Sequence, residues 1–356
     1  MDIETVKAAM ETAKYYPSGD NCQGFSFRWH EKALHIDYSA KSFDHSLVFD
    51  SSTILMTLGF LNEYIRNSFA ESQKQVNFVY DFKNFDVHAD KQSLCKVSES
   101  QCPEITLQTY PKRTLLDRVT DRRPYLDYST IELDEFEIEH THSKSKLIKN
   151  VSSDVLDFFA HCDSLVWTSK KLALDIMSTV TFSSPPSKKG LPWQNLGLKK
   201  SETLPIKLLQ KYPWLFSVFR TLGAQNAMKK SQAALWHSSS SILVFSYKKG
   251  ISYEDKVLAN MELMNKILEL VDLGYSFQPS TISTFILNVP LNPQTNIKTE
   301  TGIQLDSISS QIPQIREKLN LGDNEVNWVL RFGKTSSPLD QSNRTLRLPL
   351  SEILNI

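Results

Sequence analysis

The sequence predicts an α+β fold, because strong helical and strand patterns occur along the same chain. Glu254–Leu273 has apolar residues at three- and four-residue spacing and is followed by Gly274, as expected of an amphipathic core helix. Ile242–Tyr247 is a continuous apolar run, which is typical of a strand covered on both faces. Phe25–His30 and Leu34–Tyr38 have the pattern of a β-hairpin.

The other elements follow from the same two periodicities. We expect further helices over residues 3–15, 51–65, 112–119, 155–177 (interrupted by polar residues), 227–238 and 307–319. We expect further strands over residues 76–80, 105–107 and 326–332. Residues 136–140 and 147–148 are ambiguous, and residues 191–222 contain no clean strand.

Length and charge limit the possible classes of protein. A chain of 356 residues, 40% hydrophobic and 22% charged, can bury a sizeable core and is long enough for two halves. We place the halves at residues 1–108 and 109–356, although no internal repeat is visible. Lys+Arg and Asp+Glu number 40 each, so no global field attracts nucleic acid or an acidic membrane.

The cysteines and the N-terminus indicate a cytoplasmic protein. The four cysteines have no metal-site spacing, so we expect free thiols in a reducing compartment: Cys22, Cys95, Cys102 and Cys162. The first residues include Asp2 and Glu4 and lack the apolar run of a signal peptide. No stretch approaches the roughly 20 apolar residues of a membrane span, so no membrane partner is expected.

Several common catalytic and nucleotide-binding motifs are absent. The chain has no Gly-x-Gly-x-x-Gly, no Walker loop and no Gly-x-Ser-x-Gly, which argues against a dedicated dinucleotide domain and a serine hydrolase. The histidines show no metal-ligand spacing, and no activating His lies near Cys22 in sequence. We therefore predict no metal site, and we do not expect Cys22 to act as a nucleophile.

Residues 16–23, Tyr-Pro-Ser-Gly-Asp-Asn-Cys-Gln, form a polar loop between a predicted helix and a predicted strand. Pro17 disfavours helical geometry at Tyr16, and Gly19 permits a sharp turn. The loop contains four polar side chains within six residues: Ser18, Asp20, Asn21 and Gln23. Their hydrogen-bond donors and acceptors could bind the polar edge of a flat heterocycle. An ordinary polar turn is the alternative, because these residue types are common in turns.

A second candidate site is the cationic segment at residues 118–123, Arg-Val-Thr-Asp-Arg-Arg. Its guanidinium groups, with the hydroxyl of Thr120, suit the oxygens of a phosphate monoester. The alternative is a solvated basic turn, partly balanced by Asp117 and Asp121.

The polar loop resembles a segment of the FMN-dependent nitroreductase family, Pro-Ser-(Ser/Gly)-x-Asn-x-Gln-Pro-Trp. In this chain the segment reads Ser-Gly-Asp-Asn-Cys-Gln, which is similar to the same segment in a subgroup of the family with long chains. That subgroup includes single-chain, internally doubled nitroreductases. The resemblance implies that the flavin ring contacts Pro17, Ser18, Gly19, Asn21 and Gln23. Gly24 and Phe25 stand where the family has Pro-Trp.

Three further segments extend the resemblance. Arg118, Thr120 and Arg122 are similar to the Arg-x-Ser/Thr-x-Arg/Lys segment that binds the FMN phosphate in the family. Residues 347–352 resemble the closing family segment, which implies that Arg347 reaches the same phosphate, with Arg344 a weaker candidate. Residues 273–280 resemble a family turn near the flavin's reactive edge. The resemblance implies that three residues of this turn also approach the flavin: Gln278, Pro279 and Ser280.

The resemblance implies an FMN-binding oxidoreductase of nitroreductase type, folded as a single-chain pseudo-dimer of two mixed sheet and helix halves. Two electrons would pass between NAD(P)H and a nitro, quinone or other conjugated small molecule, and the protein would be a monomer or a weak oligomer. One alternative is an FMN-binding or storage protein, or a pseudoenzyme, whose lid (183–225) contains Trp193, Trp214, Phe216 and Phe219. Another is a flavin-dependent dehydrogenase of a biosynthetic pathway.

Overall fold

The computed structural model describes residues 1–43, 45–102, 107–184, 186–198, 200–239, 241–337 and 345–356. The protein is a mixed α and β structure with two five-stranded sheets and a two-stranded one. Within the described ranges, no helix has both the length and the apolar character needed to cross a membrane.

The elements are numbered in chain order. The strands are β1 (Phe25–His30), β2 (Ala33–Tyr38), β3 (Gln75–Tyr80), β4 (Gln92–Ser100), β5 (Phe136–Glu139), β6 (Lys144–Ile148), β7 (Val180–Thr181), β8 (Leu191–Pro192), β9 (Ile242–Tyr247), β10 (Ser276–Pro279), β11 (Glu325–Gly333) and β12 (Leu354–Asn355). The helices are α1 (Ile3–Ala13), α2 (Ser51–Ala70), α3 (Lys112–Asp117), α4 (Ser153–Ser164), α5 (Lys170–Ser178), α6 (Thr203–Lys211), α7 (Leu215–Thr221), α8 (Ala224–Ser239), α9 (Tyr253–Asp272), α10 (Thr281–Leu287), α11 (Ile297–Thr301), α12 (Ile312–Lys318) and α13 (Leu350–Ile353).

The first sheet has the order β12-β1-β2-β4-β3. The predicted hairpin is confirmed: β1 and β2 are antiparallel from Phe25 opposite Tyr38 to His30 opposite Ala33. Its two turn residues, Glu31 and Lys32, have φ of 49° and 57°, as the twist of a two-residue hairpin loop requires.

The C-terminal strand closes the first sheet and positions the candidate site. β12 pairs in parallel with β1, with Phe27 opposite Leu354 and Arg28 opposite Asn355. This pairing holds the preceding residues, 345–349, beside the polar loop that leads into β1. The two ends of the chain therefore meet at one place.

The second sheet has the order β10-β11-β9-β6-β5, and every neighbouring pair is antiparallel. The prediction that residues 242–247 are covered on both faces is confirmed, because all six are buried. Leu243 and Phe245 belong to a core shared with the first sheet, whereas Ile242 and Val244 belong to a second core formed with α4, α8 and α10. The second sheet thus lies between two hydrophobic layers.

Helices α2 and α9 pack closely between the two sheets. A Cβ atom on Gly59 of α2 would lie 2.4 Å from the Cβ of Asn260 and 2.6 Å from the carbonyl oxygen of Val257 in α9. Such distances are sterically forbidden, so this close crossing requires glycine at position 59. The Met and Leu stripe predicted for α9 is confirmed as core.

The two sheets share an order of elements. In the first, the strands β1, β2, β4 and β3 are neighbours, and α2 connects β2 to β3. In the second, β6, β9, β11 and β10 are neighbours, and α9 connects β9 to β10. The connection between β6 and β9 contains α4 to α8, where the first sheet has only a two-residue turn. The boundary between residues 108 and 109 stays a prediction.

Other expectations need correction or fall outside the described ranges. β4 is missing from the predicted elements, because only Leu94, Cys95 and Val97 of its nine residues are buried and the apolar pattern is short. The ambiguous stretches 136–140 and 147–148 belong to β5 and β6. The predicted helix 155–177 is broken by a 3-10 turn at 165–168, and the one at 307–319 begins only at Ile312. Of the strand predicted at 105–107, the first two residues are not described, and Leu107 is not in a strand.

Candidate functional site

The polar loop has an unusual backbone conformation. Asp20, Asn21 and Gln23 have φ of 47°, 57° and 51°, in the left-handed region that side chains other than glycine seldom occupy. Such conformations persist where surrounding contacts hold them, and they are frequent at ligand sites. The loop is therefore fixed by its neighbours and not by local preference alone.

Two amide side chains attach the loop to distant segments. Asn21 Nδ2 donates to the carbonyl oxygens of Lys188 (3.2 Å), Gly190 (3.2 Å) and Leu346 (3.1 Å). Gln23 Nε2 donates to the Lys188 carbonyl at 2.6 Å, and its Oε1 accepts from the Leu348 N–H at 2.7 Å. The amide groups of Asn21 and Gln23, which were predicted to contact the flavin, are thus hydrogen-bonded to the backbone of residues 188–190 and 346–348.

The other loop residues make fewer polar contacts. Ser18 Oγ accepts from the backbone N–H of Gln23 at 3.3 Å, which closes the loop on itself. Gly19 is exposed, and no atom lies within 4 Å of the position where a Cβ would stand. Pro17 is half-buried beside it. This side of the loop leaves room for a ligand.

Arg347 lies against the loop. Its Nη1 donates to Asn21 Oδ1 and to Thr345 Oγ1, the latter at 2.9 Å, and its Nη2 donates to the Tyr16 carbonyl at 3.3 Å. Its Nε is buried without a hydrogen-bond partner. Burial and, second, the charge of Arg118 lower the pKa of Arg347 to about 10.

Arg118 approaches the same place from the middle of the chain. It is buried, with 7% of its surface exposed, and its Nε donates to the Tyr64 hydroxyl at 3.0 Å. That hydroxyl in turn donates to the Leu115 carbonyl at 3.0 Å, so the Tyr64 side chain fixes the guanidinium. Arg118 Nη1 is buried and has no hydrogen-bond partner.

The two arginines lie close enough that the charge of Arg118 lowers the pKa of Arg347, and together they form an electropositive centre. Among the described residues, no carboxylate forms an ion pair with Arg118 or Arg347. The Tyr16 hydroxyl is also buried without a partner, and burial raises its pKa, with the charge of Arg347 opposing this rise. Buried donors are normally satisfied, and adjacent buried cations repel each other. A phosphate monoester would accept from these donors and neutralise the charge, so the residues fit such a group.

Arg122 and Thr120 are placed differently from Arg118. Arg122 Nη1 donates to the Asn195 carbonyl at 3.0 Å, and the guanidinium interacts with Asp20 of the loop. Burial raises the pKa of Asp20, and the charges of His45 and Arg122 oppose this rise. Thr120 forms a parallel bridge with Phe277. Arg122 is therefore engaged by the Asn195 carbonyl and by the carboxylate of Asp20.

The predicted positions 278–280 lie in and after β10, next to the bridge at Thr120. Gln278 Oε1 accepts from Arg331 Nε at 3.1 Å and Nη2 at 2.7 Å. Ser280 Oγ donates to Asp163 Oδ1 at 2.6 Å, and Pro279 is paired with Leu330 of β11. The side chains of Gln278 and Ser280 are thus engaged within the second sheet and its neighbours.

The start of the predicted lid contacts the loop, whereas two of its aromatic residues, Phe216 and Trp214, lie in other surroundings. The carbonyls of residues 188, 190 and 195 accept from Asn21, Gln23 and Arg122. Phe216 is buried against Trp167, with ring centroids 5.7 Å apart, and Trp214 is 64% exposed. Pro185 and Arg344 lie outside the described residues. The lid over a bound flavin stays a prediction.

Four residues that contribute to the site were not among the predicted flavin contacts: Tyr16, Tyr64, Lys188 and Gly190. Tyr64 belongs to the apolar helix α2 and reads as a core residue. The Tyr16 side chain lies at the edge of the loop motif and reads as a helix end. Lys188 and Gly190 contribute only backbone carbonyls, which residue identity does not reveal.

A separate cavity of about 500 Å³ lies elsewhere, and none of the predicted flavin contacts lines it. It opens beside the N-terminal turns of α2 and α9, where Lys256 pairs with Glu325 at 3.2 Å. The four cysteines are free, as expected. No cluster of His, Cys, Asp or Glu that could hold a metal occurs in the described part of the chain.

In comparison with known proteins, neither family models nor curated proteins match this sequence.

Proposed function

We propose that the protein is an FMN-binding oxidoreductase of nitroreductase type. The observation that carries this proposal is the convergence of Arg118 and Arg347, both with unsatisfied buried donors, beside a polar loop with strained backbone. A phosphate between the arginines and a flat ring along the loop would account for both features. The sequence resemblance selects FMN among phosphate-bearing ligands.

The residues divide into two tasks. Arg118, Arg347 and the Tyr16 hydroxyl would bind the phosphate. The negative charge of the phosphate would then neutralise the two cations. Pro17, Ser18 and Gly19 would border the ring on the open side of the loop. When bound, the flavin supplies reversible two-electron transfer, so no protein acid or base is needed for that step.

The pseudo-dimer is part of this proposal, and the matching strand order of the two sheets supports it. The first half contributes the polar loop before β1. The second half contributes Arg118, ahead of β5, and Arg347, ahead of β12. One chain would thus provide both sides of one FMN site, with NAD(P)H as donor and a conjugated small molecule as acceptor.

An FMN storage protein is the second candidate, favoured by a specific set of contacts. The amides of Asn21 and Gln23 bond to the backbone of residues 188–190, so this segment already lies over the loop. If the segment stayed there, it would restrict the access of a nicotinamide to the ring. A flavin-dependent dehydrogenase would likewise not need a nicotinamide donor.

Anaerobic reduction distinguishes these functions. If the protein is an NAD(P)H-dependent oxidoreductase, the FMN-loaded form should lose its visible flavin absorbance within seconds when NADH or NADPH is added. Hydride transfer requires the nicotinamide to stack on the ring at about 3–3.5 Å, so a fast loss shows that the ring is accessible. Dithionite serves as the control that the bound flavin is reducible. Loss of the band with dithionite but with neither nicotinamide would contradict the NAD(P)H-dependent oxidoreductase and favour storage or dehydrogenation.

A further inference from the structure

The zero net charge of the chain conceals a strongly basic segment. Residues 186–239 contain nine Lys and Arg residues and a single acidic residue, Glu202. The rest of the chain is correspondingly acidic. Charge of one sign concentrated on consecutive elements creates a local field that the overall balance does not reveal.

Exposed hydrophobic residues are concentrated in the same segment. Twelve large hydrophobic residues are exposed in the described ranges, and five of them lie between positions 204 and 222. The most exposed are Leu222 (77%), Trp214 (64%) and Leu204 (58%), and the others are Tyr212 and Val218. Clusters of this kind on a folded surface usually mark an interaction site.

The exposure follows from the way α7 packs. Trp214, Val218 and Leu222 are spaced four residues apart, so they share one face of the helix and its ends. Phe216 lies on the opposite side, buried against Trp167 with the two rings nearly parallel. One side of α7 is thus packed into the core through Phe216. The opposite side therefore exposes a stripe of apolar side chains to solvent.

Helix α6 presents basic residues in the same way. Leu204, Lys207 and Lys211 are exposed at spacings of three and four residues, whereas Leu209 is fully buried. The Lys207 ammonium lies 4.7 Å from the Phe182 ring centroid, and that of Lys211 lies 5.1 Å from the Tyr212 ring centroid. No carboxylate of the described residues pairs with either lysine.

We propose that this surface, residues 203–222, docks on the headgroup region of an anionic lipid bilayer. Basic residues next to an exposed Trp and aliphatic stripe are the combination by which short helices lie in a membrane interface. The lysines supply attraction to acidic headgroups, and the stripe supplies apolar burial. With nine and seven residues, α6 and α7 lie on a bilayer and do not cross it.

The charge argues against other occupants. In a symmetric dimer the same patch meets itself, so two basic surfaces would repel each other. The phosphates of nucleic acid would pair with the lysines, but nucleic acid provides no apolar environment in which Val218 and Leu222 could be buried. An anionic bilayer satisfies both features of the surface.

Vesicle sedimentation tests the proposal with the full chain. The protein should sediment with vesicles of phosphatidylcholine mixed with phosphatidylglycerol, much less with phosphatidylcholine alone, and less at high salt. The double substitution Lys207→Ser with Lys211→Ser should lower partitioning by about tenfold. Trp214→Ser with Leu222→Ser should lower it by a similar factor.

Matched controls remove exposed residues of the same types elsewhere. Val79→Ser, at a residue that is 60% exposed on β3, and Lys83→Ser with Lys298→Ser should change partitioning by less than about twofold. Unchanged unfolding midpoints confirm that each variant is folded. No sedimentation with anionic vesicles would overturn the proposal, as would equal losses in controls and test variants. A concentration-dependent dimer abolished by Trp214→Ser would assign the surface to a second copy instead.

Discussion

Replacing Arg118 with alanine should weaken FMN binding by about 2 kcal/mol or more, a rise in Kd of roughly thirtyfold. Arg347→Ala should have an effect of similar size. The reason is that each guanidinium lies close to the other without a carboxylate among the described residues, so each would donate charge-assisted hydrogen bonds to a bound phosphate. Isothermal titration with FMN measures both losses.

Three comparisons make this result specific. Riboflavin lacks the phosphate, so Arg118→Ala should leave its affinity nearly unchanged. Arg113→Ala removes an exposed arginine of α3 and should affect neither ligand by more than about 0.5 kcal/mol. The double variant of Arg118 and Arg347 should cost less than the sum of the single changes if both arginines bind one anion, as the proposed function requires. Fully additive effects below 1 kcal/mol would mean that the arginines do not share a ligand.

Replacing Glu63 with alanine should lower the free energy of unfolding by about 3–5 kcal/mol. Glu63 is completely buried in α2 and accepts from Arg66 Nη2 at 2.6 Å, from Asn67 Nδ2 at 2.8 Å and from Asn265 Nδ2 at 2.8 Å. Its removal leaves the buried cation of Arg66 without a carboxylate. Arg66 and Asn265 also donate to the Gln108 carbonyl, so this network joins α2, α9 and the predicted boundary of the halves.

Urea unfolding measures this loss, and an exposed ion pair provides the control. Glu4→Ala removes the carboxylate that pairs with Lys7 on the surface of α1, and it should cost less than about 1 kcal/mol. A loss below 1 kcal/mol for Glu63→Ala as well would show that the buried network is not a major source of stability.

Local patterns predicted those elements whose side chains repeat over many residues. Helix α9 and strand β9 have continuous or periodic apolar residues, and both are observed within one residue of the expected bounds. β4 escaped prediction because its stability comes from hydrogen bonding to β2 and β3 on both sides, not from its own apolar content. The parallel pairing of β12 with β1 depends on residues at the two ends of the chain, which no local window contains.

The site shows the same division between residue type and spatial arrangement. The sequence identified Arg347 and Asn21, which meet although 326 positions separate them. It grouped Arg122 and Gln278 with them, but the structure engages these two with Asn195 and Arg331. A motif specifies which groups are present, whereas packing decides which partner each one finds.

The absorption spectrum of the freshly purified protein tests the central claim most directly. Binding of FMN by Arg118, Arg347 and the polar loop predicts a yellow protein that releases FMN on heating, or that turns yellow when FMN is added. Release of FAD would contradict a site built around a terminal phosphate. A colourless protein that also fails to take up added FMN would contradict the proposed function itself.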